Sequence, residues 1–289
     1  SNTVNIVVVT LTMLSLAFFV TAGFPGALAN AGQNLPSLFG NGEFSNYGLL
    51  QATALMFVAY TGYGRIATLG EEVKEPAFTI PRAVIATLVA SMILYVSVAF
   101  VGLANVGAQA FGDATREQIA PLQIIAAGFG IPGAGMILAV GAMTAMLGVV
   151  LNLLLGLSRV LFAMGRRSDM PPGVALVSKT TSVPWLATVV VAVVIGGLVL
   201  LGDVRLTWSF SAFTVLIYYA ITNLCALRLQ PEQRLYPAWI AWCGLAACLF
   251  LAFWVDWYVW LAGIGLIALG LAWHELATRV AARDRREIR

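Results

Sequence analysis

The residues best suited to chemistry cluster in residues 57–82, FVAYTGYGRIATLGEEVKEPAFTIPR. The run starts inside an apolar segment and breaks at Thr61-Gly62-Tyr63-Gly64. It then takes on charge at Arg65, Glu71, Glu72, Lys74 and Glu75, and turns apolar again after Pro81. Each glycine weakens a helix interior by about 1 kcal/mol against Ala. Lipid supplies no hydrogen-bond partners, so unwound backbone at membrane depth survives only beside protein or a water-filled cavity. With residues 46–60 helical, the last carbonyls lack intrahelical partners and carry partial negative charge. An ammonium group is a natural ligand for them. A second half-helix, from about Arg65, would point its first amides back at the same gap.

Composition tells what must position this break. The 289 residues are 60% hydrophobic and 10% charged, with a mean hydropathy of +0.90. A soluble domain carries roughly 25% charged residues. Apolar stretches of about 18 residues or more suffice to cross a bilayer core of roughly 30 Å. Alternating strand patterns are absent, which argues against a β-barrel. The expected fold is an all-α integral membrane bundle with eight spans, near 4–22, 46–73, 80–105, 134–165, 184–201, 207–229, 235–255 and 257–278. Gly23-Phe24-Pro25-Gly26 is expected to end the first span. Pro81 should occupy the first turn of the third, where its missing N–H costs nothing. A helix over 115–130, too short to cross, should lie at the surface. A basic tail over 279–289 follows the last span.

Charge placement gives the orientation. With the first span running outward, all but two of the 16 Lys and Arg residues fall on the cytoplasmic side, as the positive-inside rule requires. The exceptions are Arg116 and Arg205. Segments 66–79, 166–183 and 230–234 and the C-terminus are then cytoplasmic. Arg279, Arg283, Arg285, Arg286 and Arg289 would attract anionic lipid. No basic run is interleaved with aromatics as nucleic-acid binding would need. Cys225, Cys243 and Cys248 lack CxxC spacing and read as small hydrophobes.

Two motifs carry a family resemblance. The first joins F-x-A-Y-x-G-Y over 57–63, G-E-E-V-x-x-P over 70–76 and T-I-P-R-A over 79–83. The second is SRVLFAMGR over 158–166, followed by Pro171 and then Ser182-Val183-Pro184. The chain resembles the amino acid–polyamine–organocation (APC) permeases. The first motif is similar to their sixth transmembrane helix and following loop, the second to the end of the eighth helix and the loop into the ninth. The resemblance covers nearly the whole chain and begins at the family's fifth helix, which implies four further helices upstream to complete the site. It also implies a LeuT-like helical bundle and secondary active transport of an amino acid or amine.

It implies roles for particular residues as well. The substrate amino group would meet the carbonyls of Val58, Ala59 and Thr61, around the break at Gly62 and Gly64. Phe57, Tyr60 or Tyr63 would close over it as an aromatic lid; the alternative is bundle packing. Cation-selective relatives often carry an acidic residue where Gly64 stands, and many have a small one where Arg65 stands. A fixed positive charge at Arg65 disfavours cationic side chains by Coulomb repulsion, so neutral or acidic amino acids are favoured. Alternatively, Arg65 reaches Glu72 along one helix face. Glu71, Glu72, Lys74 and Glu75 could form a cytoplasmic gate with Arg82 and Arg159, or a solvated loop.

Coupling is open between proton, sodium and exchange. In some proton-coupled relatives a fifth-helix lysine stands where Thr12 aligns, and Thr cannot carry that charge. Thr144 lies near where sodium-coupled members of the wider fold have hydroxyl ligands. Asn152, Ser209, Ser211 and Thr214 are polar at depth, with helix–helix hydrogen bonding as their default role; Asn152 could instead face the pathway. His274 reads as interfacial. No cofactor or metal set is apparent, nor HExxH or a P-loop, which disfavours an enzyme. The remaining rival is a non-transporting fragment or assembly subunit of a permease.

Overall fold

A computed structural model describes residues 2–36, 46–63, 73–117, 120–167, 169–178, 183–201 and 204–287. The described residues form helices without strands: α1 (Asn2–Asn34), α2 (Asn46–Phe57), α3 (Pro76–Glu117), α4 (Pro121–Ala127), α5 (Ala134–Arg166), α6 (Trp185–Leu201), α7 (Val204–Leu227), α8 (Ala238–Ala252) and α9 (Trp257–Glu287). Five of them, α1, α3, α5, α7 and α9, are long and apolar enough to cross a membrane. The apolar α6 and α8 are shorter, at 17 and 15 residues. The chain packs as two compact units, residues 1–44 with 65–153 and residues 45–64 with 154–289.

In the first unit α1 packs along α3 through glycines. A Cβ at Gly23 would collide with Val101 and Phe129, and one at Gly26 with Asn105. The first span therefore does not end at Gly23-Phe24-Pro25-Gly26: α1 continues through Pro25 to Asn34. These glycines let two backbones approach, the usual role of small residues between membrane helices. Asn105 Nδ2 donates to Gly23 O at 2.9 Å and to Val101 O at 2.8 Å. Phe19, Ala27, Val101, Ala104, Ile125, Ala126, Ala134 and Leu138 form this unit's core.

α3 departs from expectation at both ends. Pro76, not Pro81, opens it, and the Glu75 carbonyl accepts from the Phe78 and Thr79 amides. Pro81 sits inside the helix. At Gly107 the backbone leaves helical geometry, with φ +80. A break there strips the preceding carbonyls of their partners. Asn34 Nδ2 supplies one, donating to Ala104 O at 2.8 Å and Asn105 O at 3.2 Å. The bend lays Phe111 against Gly102. The expected surface helix over 115–130 is replaced by the end of α3 and the seven-residue α4, whose Ile125 and Ala126 are buried in the core.

In the second unit α7 is the central helix. Ala212, Phe213, Leu216, Tyr219 and Ala220 are buried against Ala54 of α2, Leu245, Cys248 and Ala252 of α8, and Val255 and Val259. A Cβ at Gly263 would strike the Phe213 ring, so α9 closes tightly on α7 there. Asp169 ties the segment after α5 to α9: its carbonyl accepts from Trp273 Nε1 at 2.9 Å and its carboxylate lies 3.2 Å from His274 Nδ1.

Candidate functional site

The site is built where α2 stops. Regular α-helix ends at Phe57, and a 3-10 turn carries Val58, Ala59 and Tyr60. Thr61 is extended (φ −88, ψ 173) and Gly62 sits at φ +108. That φ belongs to the left-handed side of the map, which glycine alone enters without a Cβ penalty. Among the described residues, nothing lies within 4 Å of where a Gly62 Cβ would stand. The glycine is thus required by its conformation, and no described residue crowds it.

The carbonyls released at this end are partly claimed. Leu55 O accepts from Trp208 Nε1 of α7 at 3.0 Å. Val58 O accepts both the Thr61 N–H at 3.1 Å and the Thr61 hydroxyl at 2.7 Å. Those two bonds occupy both lone pairs of the carbonyl. At the other end of α2, Gln51 Nε2 donates to Asp256 Oδ1 at 3.3 Å, and Tyr47 packs on Trp254 with ring centroids 5.6 Å apart. Tyr258 donates to Asp256 Oδ2 at 3.1 Å. Both ends of α2 are therefore fixed to the α7–α9 bundle.

The aromatic residues flanking the break meet one side chain that sequence reasoning missed. Tyr219 of α7 takes the edge of Phe57 at 5.6 Å (78°) and the ring of Tyr63 at 5.3 Å (42°). Its hydroxyl hydrogen-bonds the Gly62 backbone and the Tyr63 hydroxyl. Tyr219 is 8% exposed. The signal in the sequence was the Tyr218-Tyr219 pair inside a helix long enough to cross a membrane, because a buried tyrosine hydroxyl needs a partner. Gly64, Arg65, Glu71 and Glu72 lie outside the described residues. Arg82, expected near those acids, stacks its guanidinium 3.5 Å above the Phe78 ring.

The hydroxyl candidates lie in the first unit. Thr12 and Ser15 help line a cavity of about 280 Å³, with Leu16, Ala120, Pro121, Leu122, Gln123, Leu138, Gly141, Ala142 and Ala145. Thr12 donates to Val8 O at 2.9 Å, Ser15 to Thr12 O at 2.8 Å and Thr144 to Gly141 O at 2.9 Å. Their protons satisfy their own helices, and the oxygens keep acceptor lone pairs. Thr144 is not among the lining residues. Asn152 Nδ2 donates to Gly148 O at 2.9 Å and to Asn5 Oδ1 of α1 at 3.2 Å, the interhelical role expected by default. Ser211 and Thr214 bond within α7, to Thr207 O and Phe210 O. No group of three metal-ligating side chains occurs among the described residues.

Similarity to known proteins agrees with this picture. The family model described as amino acid permease matches residues 3–283. An uncharacterized transporter of Mycobacterium tuberculosis is 36% identical over 83% of this chain and 53% of its own length. The vacuolar cationic amino acid transporter 4 of Arabidopsis thaliana is 30% identical over 80% of this chain and 38% of its own. The branched-chain amino acid permease of Bacillus subtilis is 25% identical over 95% of this chain and 58% of its own. The chain thus spans about half the length of the curated relatives it matches. A multi-pass helical membrane protein whose apolar helices include one that ends just ahead of Thr61-Gly62, and whose sequence matches the family model almost end to end, belongs to the amino acid permease family of the APC superfamily.

Proposed function

We propose that the whole protein carries an amino acid across the cytoplasmic membrane by alternating access, and that the opened backbone at residues 58–63 holds the substrate's ammonium group. The observation that carries this reading is the end of α2: a helix C-terminus turning through Thr61 into a positive-φ glycine that no described residue crowds. Such an end presents partial negative charge, and broken membrane helices bind substrates in many transporters. Phe57, Tyr60 and Tyr63 form the aromatic flank.

Neutral or acidic amino acids are favoured over cationic ones. Gly64 supplies no negative charge and Arg65 adds a positive one, which repels a cationic side chain. The relatives' names point both ways, to cationic and to branched-chain amino acids. Replacing Arg65 with Asp should move the preference toward lysine and arginine; unchanged selectivity removes Arg65 from the site. The loops at 66–79, 166–183 and 230–234 and the C-terminus face the cytoplasm in this reading.

The direct test is uptake of labelled amino acids by the full-length protein in proteoliposomes. Accumulation of neutral or acidic amino acids, with weaker handling of lysine and arginine, is expected. Failure to bind or move any amino acid or amine defeats the proposal. Varying proton and sodium gradients in the same vesicles identifies the coupling ion.

A further inference from the structure

We infer that Tyr219 is a positioning residue, one that fixes the opened backbone at Thr61–Tyr63 in the shape that receives substrate. The inference rests on the substrate site proposed above and adds a residue from a different helix. Three contacts converge on this one side chain. Phe57, the last residue of regular α2, meets it edge-on at 5.6 Å. Tyr63, beyond the break, packs on it at 5.3 Å. Between them, Gly62 reaches it through the backbone. The phenol therefore touches the chain before, within and after the break.

The direction of the hydrogen bonds follows from chemistry. A backbone amide can only donate, so the Gly62 N–H donates to the Tyr219 hydroxyl oxygen. Tyr219 keeps its own proton, and the two phenol hydroxyls share one hydrogen bond. An amide released by a helix break needs such a partner at membrane depth, where water does not supply one. The ring itself is anchored from behind. Ala212, Phe213, Leu216 and Cys248 belong to the same buried cluster, and Tyr218 packs on it at 5.2 Å. Tyr219 thus transmits the rigidity of the α7–α8 core to a segment that has left regular α-helix after Phe57.

Tyr219→Phe separates this role from packing, because it keeps the ring and deletes the hydroxyl. Two readouts on the full-length protein decide the matter. In hydrogen–deuterium exchange, the Gly62 amide should be protected in the wild type and lose protection in Tyr219→Phe, with α7 and the melting temperature unchanged. Amino acid affinity should fall about tenfold, the equivalent of ~1.4 kcal/mol. Tyr63→Phe leaves the Gly62 bond in place, so it should retain the protection and lose less affinity. Equal protection, or equal affinity, in wild type and Tyr219→Phe overturns the inference. So does a wild-type Gly62 amide that exchanges as fast as an unstructured one, which needs no variant. If the wild type binds no amino acid, the transport reading falls instead, and the exchange result alone decides whether Tyr219 fixes the break.

Discussion

Gly62 holds φ +108, and no described residue lies where its side chain would begin. A larger residue there meets a backbone it cannot adopt, at a strain of about 1–3 kcal/mol. Gly62→Leu should therefore re-wind or distort the segment locally and leave the α7–α9 core intact. The expected result is loss of amino acid binding with an unchanged melting profile, measured by scintillation proximity and thermal denaturation on the same preparation. Unaltered uptake by the variant would move the site elsewhere. The end of α2 was legible in the sequence because its cause is local: Thr61-Gly62-Tyr63-Gly64 interrupts an apolar run within four positions. Tyr219 was not legible. It lies 157 positions after Gly62 in the chain, and only packing of α7 on α2 brings the two together.

At the scale of helices, the same distinction explains the misplaced ends of α1 and α3. Pro25 and its flanking glycines look like a stop when only neighbours in sequence are weighed. In the fold, Gly23 and Gly26 are the contact line with Val101 and Asn105, so tertiary packing keeps α1 helical to Asn34. That extra length has a purpose at the Gly107 bend, where the Asn34 amide reaches two carbonyls. Asn34→Ala strands them. The variant should lose about 1–3 kcal/mol of stability, seen as a lowered melting temperature, with substrate affinity nearly unchanged once folded. A variant as stable as the wild type would mean that water or another side chain serves those carbonyls. A described helix overlaps each of the eight expected stretches, and five of these helices are long and apolar enough to cross a membrane, because long apolar runs are strong signals. Their ends needed the contacts.

For the whole molecule, the outstanding quantity is orientation. On the proposed reading the arginines of the tail and of 159–167 set it, through the bias of Lys and Arg toward the cytoplasm. In a background with Cys225, Cys243 and Cys248 replaced by Ala, an impermeant maleimide should label Arg285→Cys in inside-out vesicles only. It should label Arg205→Cys in right-side-out vesicles only. The reverse pattern would invert the assignment. Cys248 is the substitution to watch, since it is buried beside Tyr219 in the α7–α8 core while Cys225 and Cys243 are exposed.

The Thr61 side chain folds back onto the carbonyl of Val58 at 2.7 Å, on top of the backbone bond at 3.1 Å. An arriving ammonium and this hydroxyl are rivals for one lone pair, so occupancy by substrate and the present Thr61 rotamer exclude each other. On the proposed reading the chain plugs its own docking point with a swivelling stopper. Thr61→Val removes the stopper and should tighten amine binding about fivefold, one neutral hydrogen bond's worth. Titration calorimetry with a single amino acid would register the gain, and weaker binding would show that the hydroxyl serves the guest directly.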